Sequence, residues 1–143
     1  MMGKRSEEFL INQAREAREK AYAPFSDFRV GSALLCRGGR IYTGCNIENP
    51  SLSFSICAER VAFIKAISEG EMKFEALAVV ADTPSLTYPC GACRQMIWDF
   101  GREVRIVLAN LTGKMEHTTI RNLLPEAFDF HPGQKRSLHV RTL

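Results

Sequence analysis

The sequence predicts an α/β fold, a three-layer sandwich with a mixed five-stranded sheet covered by helices. Three observations lead there. Helical and strand-like stretches alternate in the order α-ββ-α-β-α-β-β-α. The run Phe74 to Ala81 is β-rich and apolar enough for a strand buried on both faces. The length, 143 residues, suits one domain able to build a real core.

Taken in order, Ser6 caps a helix reaching about Lys20, with Phe9, Leu10, Ala14 and Ala17 on one apolar face. Pro24 and Ser26 break it. Strands from Arg29 to Cys36 and from Ile41 to Cys45 flank the turn at Gly38-Gly39 and read as a hairpin. Residues 46–56, with Pro50 and three serines, form an irregular loop. A helix from about Cys57 to Ser68 stops at Glu69-Gly70. After the buried strand, Pro84 and Pro89 mark a loop before a helix from about Gly91 to Phe100, ended by Gly101. Strands Arg105 to Ala109 and Met115 to Thr118 follow, then a short helix near Thr119 to Leu124 that ends at Pro125.

Composition excludes several classes. The longest apolar run, Ala76 to Ala81, is six residues, against roughly 20 needed to cross a bilayer. Glu7 and Glu8 stand where a signal peptide would become apolar, so no secretion and a cytoplasmic location are expected. The net charge of +3 resides in residues 131–143, where Lys135, Arg136 and Arg141 meet no acid. Residues 1–130, expected to be the single domain, are formally neutral and lack the basic face that polymeric nucleic acid requires. The 131–143 segment reads as a basic tail.

Five cysteines, an odd count, argue against a disulfide framework and for metal or catalytic use. Cys36 and Cys45 read as small buried hydrophobes. Cys57, Cys90 and Cys93 differ. They fall in Cys57-Ala58-Glu59-Arg60 at one helix start and in Pro89-Cys90-Gly91-Ala92-Cys93-Arg94 at the next. Residues three apart share a face of a helical turn, so Cys90 and Cys93 can point the same way. If the two helices start side by side, three sulfurs converge as zinc requires, leaving a fourth position open for water, the arrangement of a catalytic site. Three thiolates on zinc sum to −1. Two helix N-termini, each roughly +0.5, offset this, and Arg60 can reach the sulfurs to moderate their charge. Glu59 is the candidate proton carrier, provided Cys57 sits at the helix cap, where the chain is not yet helical.

The C-x-E and P-C-x-x-C pair matches the zinc deaminase signature in its three-cysteine form. The chain resembles the small, three-cysteine class of cytidine deaminase over roughly residues 15–130. Matching stretches are Ala21-Tyr22-Ala23-Pro24-Phe25-Ser26, Val30-Gly31, Gly44-Cys45-Asn46-Ile47-Glu48-Asn49, Cys57-Ala58-Glu59-Arg60, Pro89-Cys90-Gly91-Ala92-Cys93-Arg94-Gln95, and Leu123-Leu124-Pro125 with Phe128. The resemblance implies one zinc (Zn2+) per subunit on Cys57, Cys90 and Cys93, with Glu59 as proton shuttle. It further implies a homotetramer with sites near subunit contacts, and deamination of cytidine and deoxycytidine in pyrimidine salvage. Asn46 and Glu48 would hold the ribose 3′-hydroxyl, Phe28 would pack on the base, and Phe128 would reach a neighbouring subunit's site. On their own, Asn46 and Glu48 read as loop solvation, and Phe28 and Phe128 as core aromatics. Pro50-Ser51-Leu52-Ser53-Phe54 departs from the family, which usually has a small residue there and soon after a Tyr. Two other readings remain open at this point: a deaminase of another amino-substituted base or aminonucleoside, and a structural zinc module that binds a protein and fills the fourth position with a side chain.

Overall fold

The computed structural model describes residues 3–129, and the basic segment 131–143, with His131 and His139, lies outside them. The described residues run α1 (Lys4–Arg18), β1 (Val30–Cys36), β2 (Ile41–Cys45), α2 (Ala58–Ser68), β3 (Phe74–Ala81), α3 (Gly91–Phe100), β4 (Arg105–Asn110), β5 (Met115–Thr119) and α4 (Ile120–Leu123). One sheet of order β2-β1-β3-β4-β5 forms the middle layer. The β3–β4 pair is parallel and the other pairs are antiparallel. The predicted mixed five-stranded sandwich is what forms.

Strand periodicity sorts the core into two faces. On one side of β3, Ala76, Ala78 and Val80 meet Leu10, Ile11 and Ala14 of α1. On the other, Leu77, Val79 and Ala81 meet Phe63 of α2 and Ile97 of α3. The α1 face is built from small residues so that the helix can lie close. A Cβ on Gly31 would collide with the Ala14 carbonyl and the Arg18 backbone. The opposite face is bulkier, with Phe63 and Phe74 in edge-to-face contact, centroids 5.1 Å apart.

Three expectations need correction. Helix α1 begins at Lys4 with Gly3 as its cap; Ser6 lies inside the first turn, where its hydroxyl donates to the Gly3 carbonyl at 2.6 Å. Phe9 is 55% exposed and Ile11 takes its place in the core, because position 11 completes the stripe with Leu10, Ala14 and Ala17. Cys45 is half-buried, whereas Cys36 is fully buried. The loop of residues 46–56 also contains a single 3₁₀ turn, Leu52–Phe54, and Ile47 and Ile56 bridge across it.

Topology decides where a site can form. β2 and β3 both lie antiparallel to β1, and β4 is parallel to β3, so all three point the same way. Helix α2 follows β2 and α3 follows β3. Both helices therefore start at the carboxyl end of the sheet, where open α/β sheets bind ligands.

Candidate active site

Cys57 is the N-cap of α2 and Cys90 the N-cap of α3, each in extended backbone conformation, with no side-chain hydrogen bond capping either helix. Cys93 lies one turn into α3 and is buried. Among the described residues these three sulfurs form the one group of ligand atoms converging within 4.8 Å of one another. Cys57 Sγ and Cys90 Sγ are 3.5 Å apart, and Cys90 Sγ and Cys93 Sγ are 3.6 Å apart. For a tetrahedral ion with Zn–S of about 2.3 Å, the sulfur–sulfur edge is about 3.8 Å. The donor set therefore fits zinc in both chemistry and spacing.

Several contacts seat each helix start on the sheet. Ser32, fully buried in β1, donates its hydroxyl to the Ala58 carbonyl at 2.7 Å. Gly44 leaves no room for a side chain between β2 and the backbone of Ala58 and Ala62. On the α3 side, buried Asn110 donates to the Thr83 carbonyl at 2.9 Å and accepts from the amides of Thr112 and Lys114. Tyr88, two residues before Cys90, donates to Glu116 of β5 at 2.8 Å.

Glu59 occupies the first turn of α2 and is 4% exposed. The cap position of Cys57 places this carboxylate on the sulfur side, as the spacing requires. The Cys93 thiol faces Glu59 Oε2 at 3.6 Å. Burial pushes the Glu59 carboxyl up to about 6, with the Cys57 charge adding to the effect. Cys57 is pulled down to about 5, first by the Cys93 thiol that donates to it and then by Arg60. Cys93 is pushed up, by that same donation and by burial. Arg60 Nη2 lies 3.8 Å from Cys57 Sγ and 3.4 Å from the Ser55 carbonyl, while its buried Nε has no hydrogen-bond partner among the described residues. A guanidinium held this way favours negative charge on sulfur.

Beside Cys57 opens a cavity of about 460 Å³ lined by Phe25, Ser26, Asn46, Glu48, Leu52 and Ser55, among others. Asn46 and Glu48 thus share a wall with a metal-ligand candidate, and each also holds the Phe25–Val30 loop. Asn46 Oδ1 accepts from the Val30 amide at 2.8 Å, and Asn46 Nδ2 donates to the Phe28 carbonyl at 2.7 Å. The Glu48 carboxylate accepts from the amides of Phe25 and Ser26 at 3.1 and 3.2 Å, and from the Ser26 hydroxyl. Phe28 is 41% exposed and Phe128 68% exposed, so neither is the core aromatic that its residue type alone suggests. Neither lines this cavity. The sequence alone places Phe25 and Ser26 within a matching stretch, and Ser26 as a helix breaker, but gives neither a role in the site. The signal that could have found them is the carboxylate of Glu48, which needs donors and takes them from the helix-breaking turn at Pro24.

The family profile described as the cytidine and deoxycytidylate deaminase zinc-binding region matches residues 4–109. A protein of Sporosarcina psychrophila named cytidine deaminase is 54% identical over 122 residues, which is 85% of this chain and 90% of that one. The cytidine deaminase of Halalkalibacterium halodurans is 47% identical over 122 residues, covering 85% and 92%. The solved structure of cytidine deaminase from Burkholderia pseudomallei superposes with a TM-score of 0.83 at 44% identity, covering 85% of this chain and 98% of that one.

Proposed function

Because the chain belongs to the cytidine and deoxycytidylate deaminase family, we propose that it deaminates cytidine and deoxycytidine hydrolytically, giving uridine and deoxyuridine with release of ammonia. The observation that carries this reading is the convergence of Cys57, Cys90 and Cys93 with the Glu59 carboxylate 3.6 Å from Cys93 Sγ. Cys57, Cys90 and Cys93 would hold the zinc, which when bound supplies the Lewis acidity that makes water nucleophilic near neutral pH.

Glu59 takes one proton from the attacking water and delivers it to the ring nitrogen, then carries the second, from the newly formed hydroxyl, to the departing amine. Its carboxyl, raised to about 6 by burial, suits a group that must both accept and give a proton near neutrality. Arg60 balances the thiolate charge from the Cys57 side. Asn46 donates to the ribose 3′-hydroxyl through the remaining hydrogen of its Nδ2, and the Glu48 carboxylate accepts from it, each with the capacity left after holding the Phe25–Val30 loop. Phe28 packs on the base. Phe128 reaches the site of a neighbouring copy in a homotetramer; the outward exposure of its ring supports that role. The five cysteines are free, which agrees with a cytoplasmic enzyme of pyrimidine salvage. No helix among the described residues is long and apolar enough to cross a membrane.

The test is Glu59→Ala. The variant is expected to retain one zinc per chain and lose turnover by about 10²–10⁴-fold. Turnover at the wild-type rate with zinc bound would remove Glu59 from the chemistry.

A further inference from the structure

We propose that Gln95 and Arg102 are positioning residues that clamp the segment after α4, so that the Phe128 ring is presented to substrate. This rests on the reading of Phe128 as a substrate contact.

Pro125 ends the helical path, and Glu126 turns the chain through the left-handed region at φ 53°. Among the described residues, no strand pairs with residues 125–129, which follow Leu124 where it packs against the core. Side chains reaching over from α3 and the residues just after it bond to this segment. Arg94 Nη1 donates to the Leu123 carbonyl and its Nε to the Pro89 carbonyl, both at 2.7 Å. Gln95 Nε2 donates to the Phe128 carbonyl at 3.0 Å and is oriented by Asp99 Oδ1 at 3.3 Å. Arg102 pairs with Asp129 at 2.9 Å, while its guanidinium lies 4.4 Å from the centre of the Trp98 ring and donates to the Trp98 carbonyl at 3.1 Å.

Gln95, Trp98 and Asp99 share one face of α3, and Arg102 lies just beyond the helix end, where it stacks on Trp98. Phe128 is thus bracketed, held at its own carbonyl by Gln95 and at the next side chain by Arg102, while its ring stays 68% exposed. A buried ring would need no such clamp, since packing alone would hold it. Partly exposed ion pairs and single hydrogen bonds add little to global stability, so the effect of these contacts should fall on where the ring sits. Because α3 starts at Cys90 and carries Cys93, the helix that bears two metal-ligand candidates also sets the position of Phe128.

The experiment is steady-state deamination of cytidine by wild type, Gln95→Met, Arg102→Met, Arg102→Lys, Phe128→Ala and the double variant Gln95→Met/Phe128→Ala, with zinc content measured for each. Methionine keeps the length of Gln95 and removes its donor. The expected result for Gln95→Met and for Arg102→Met is a KM raised about threefold to tenfold, with kcat and zinc unchanged, the sign of lost uniform binding. Arg102→Lys should restore part of the loss. In the Phe128→Ala background, Gln95→Met should add nothing to KM, since its effect passes through the ring. An unmoved KM in both Gln95→Met and Arg102→Met, with Phe128→Ala raising it, overturns the clamp. So does a Gln95→Met effect that is undiminished without the ring. If Phe128→Ala leaves KM unmoved, the substrate role of Phe128 falls, and the clamp's role in catalysis falls with it. Should Gln95→Met fail to fold, the two Arg102 variants decide.

Discussion

Replacing Gly44 by Ala tests how the sheet places the metal-ligand helix. An added Cβ would sit 2.7 Å from the Ala62 amide nitrogen and closer still to the Ala58 carbonyl, against 3.4–4 Å for ordinary contact. The neighbours are backbone atoms and cannot swing aside, so α2 must retreat by about 1 Å or more at its first turns. Overpacking of this kind costs about 1–3 kcal/mol, a fall in Tm of about 3–10 °C for a domain of this size. Because Cys57 caps α2, the retreat also widens the sulfur triangle. Zinc affinity should drop about tenfold or more, in the range seen when groups supporting metal ligands are lost. Thermal melts with and without zinc, and competition with a chromophoric chelator, read the two effects. Gly38→Ala is the control, since a Cβ there meets nothing within 4 Å. Gly44→Ala with wild-type Tm and wild-type zinc affinity would refute the close approach of β2 and α2 as the device that sets Cys57.

Chelation of the metal should expose Cys57 to iodoacetamide at pH 7, because its thiol is pulled down to about 5 and is ionised there, whereas buried Cys36, pushed up to about 11, stays unlabelled until the chain unfolds. Mass mapping of labelled peptides checks this, and zinc should protect Cys57. Asn46→Ala should keep zinc, raise the KM for cytidine at least tenfold, and lower stability by about 1–3 kcal/mol, since the Val30 amide and the Phe28 carbonyl both lose a partner. Denaturant unfolding and kinetics report the two effects separately. Tyr42 is pushed up to about 12, by burial and then by its donation to Glu69. A folded-state value above the ordinary one near 10 means that its contribution to stability is full below about pH 10 and fades as pH rises towards 12. Absorbance titration at alkaline pH should show this late tyrosine, and Tyr42→Phe should remove it.

Much of the fold was legible where the chain punctuates itself. Helix α3 runs from Gly91 to Phe100 as expected, because Pro89 and Gly101 bracket it, and β3 spans Phe74 to Ala81 because the apolar run Ala76 to Ala81 has no other home. The start of α1 was not legible. Ser6 has the residue type of a cap, but its hydroxyl satisfies the Gly3 carbonyl from within the helix. The pair Cys90 and Cys93 follows from local spacing alone. Their meeting with Cys57 depends on β2 and β3 running the same way, which no local pattern encodes. Least legible were side chains that bond backbone carbonyls far along the chain, such as Gln95 to Phe128, since polar residues reaching across a surface leave no periodicity to read.

The central claim is a three-sulfur metal centre with one position left for water. X-ray absorption at the zinc edge of the purified protein tests it most directly. Three sulfur neighbours at about 2.3 Å and one oxygen at about 2.0 Å are expected. A fourth sulfur or an imidazole in that shell would contradict it.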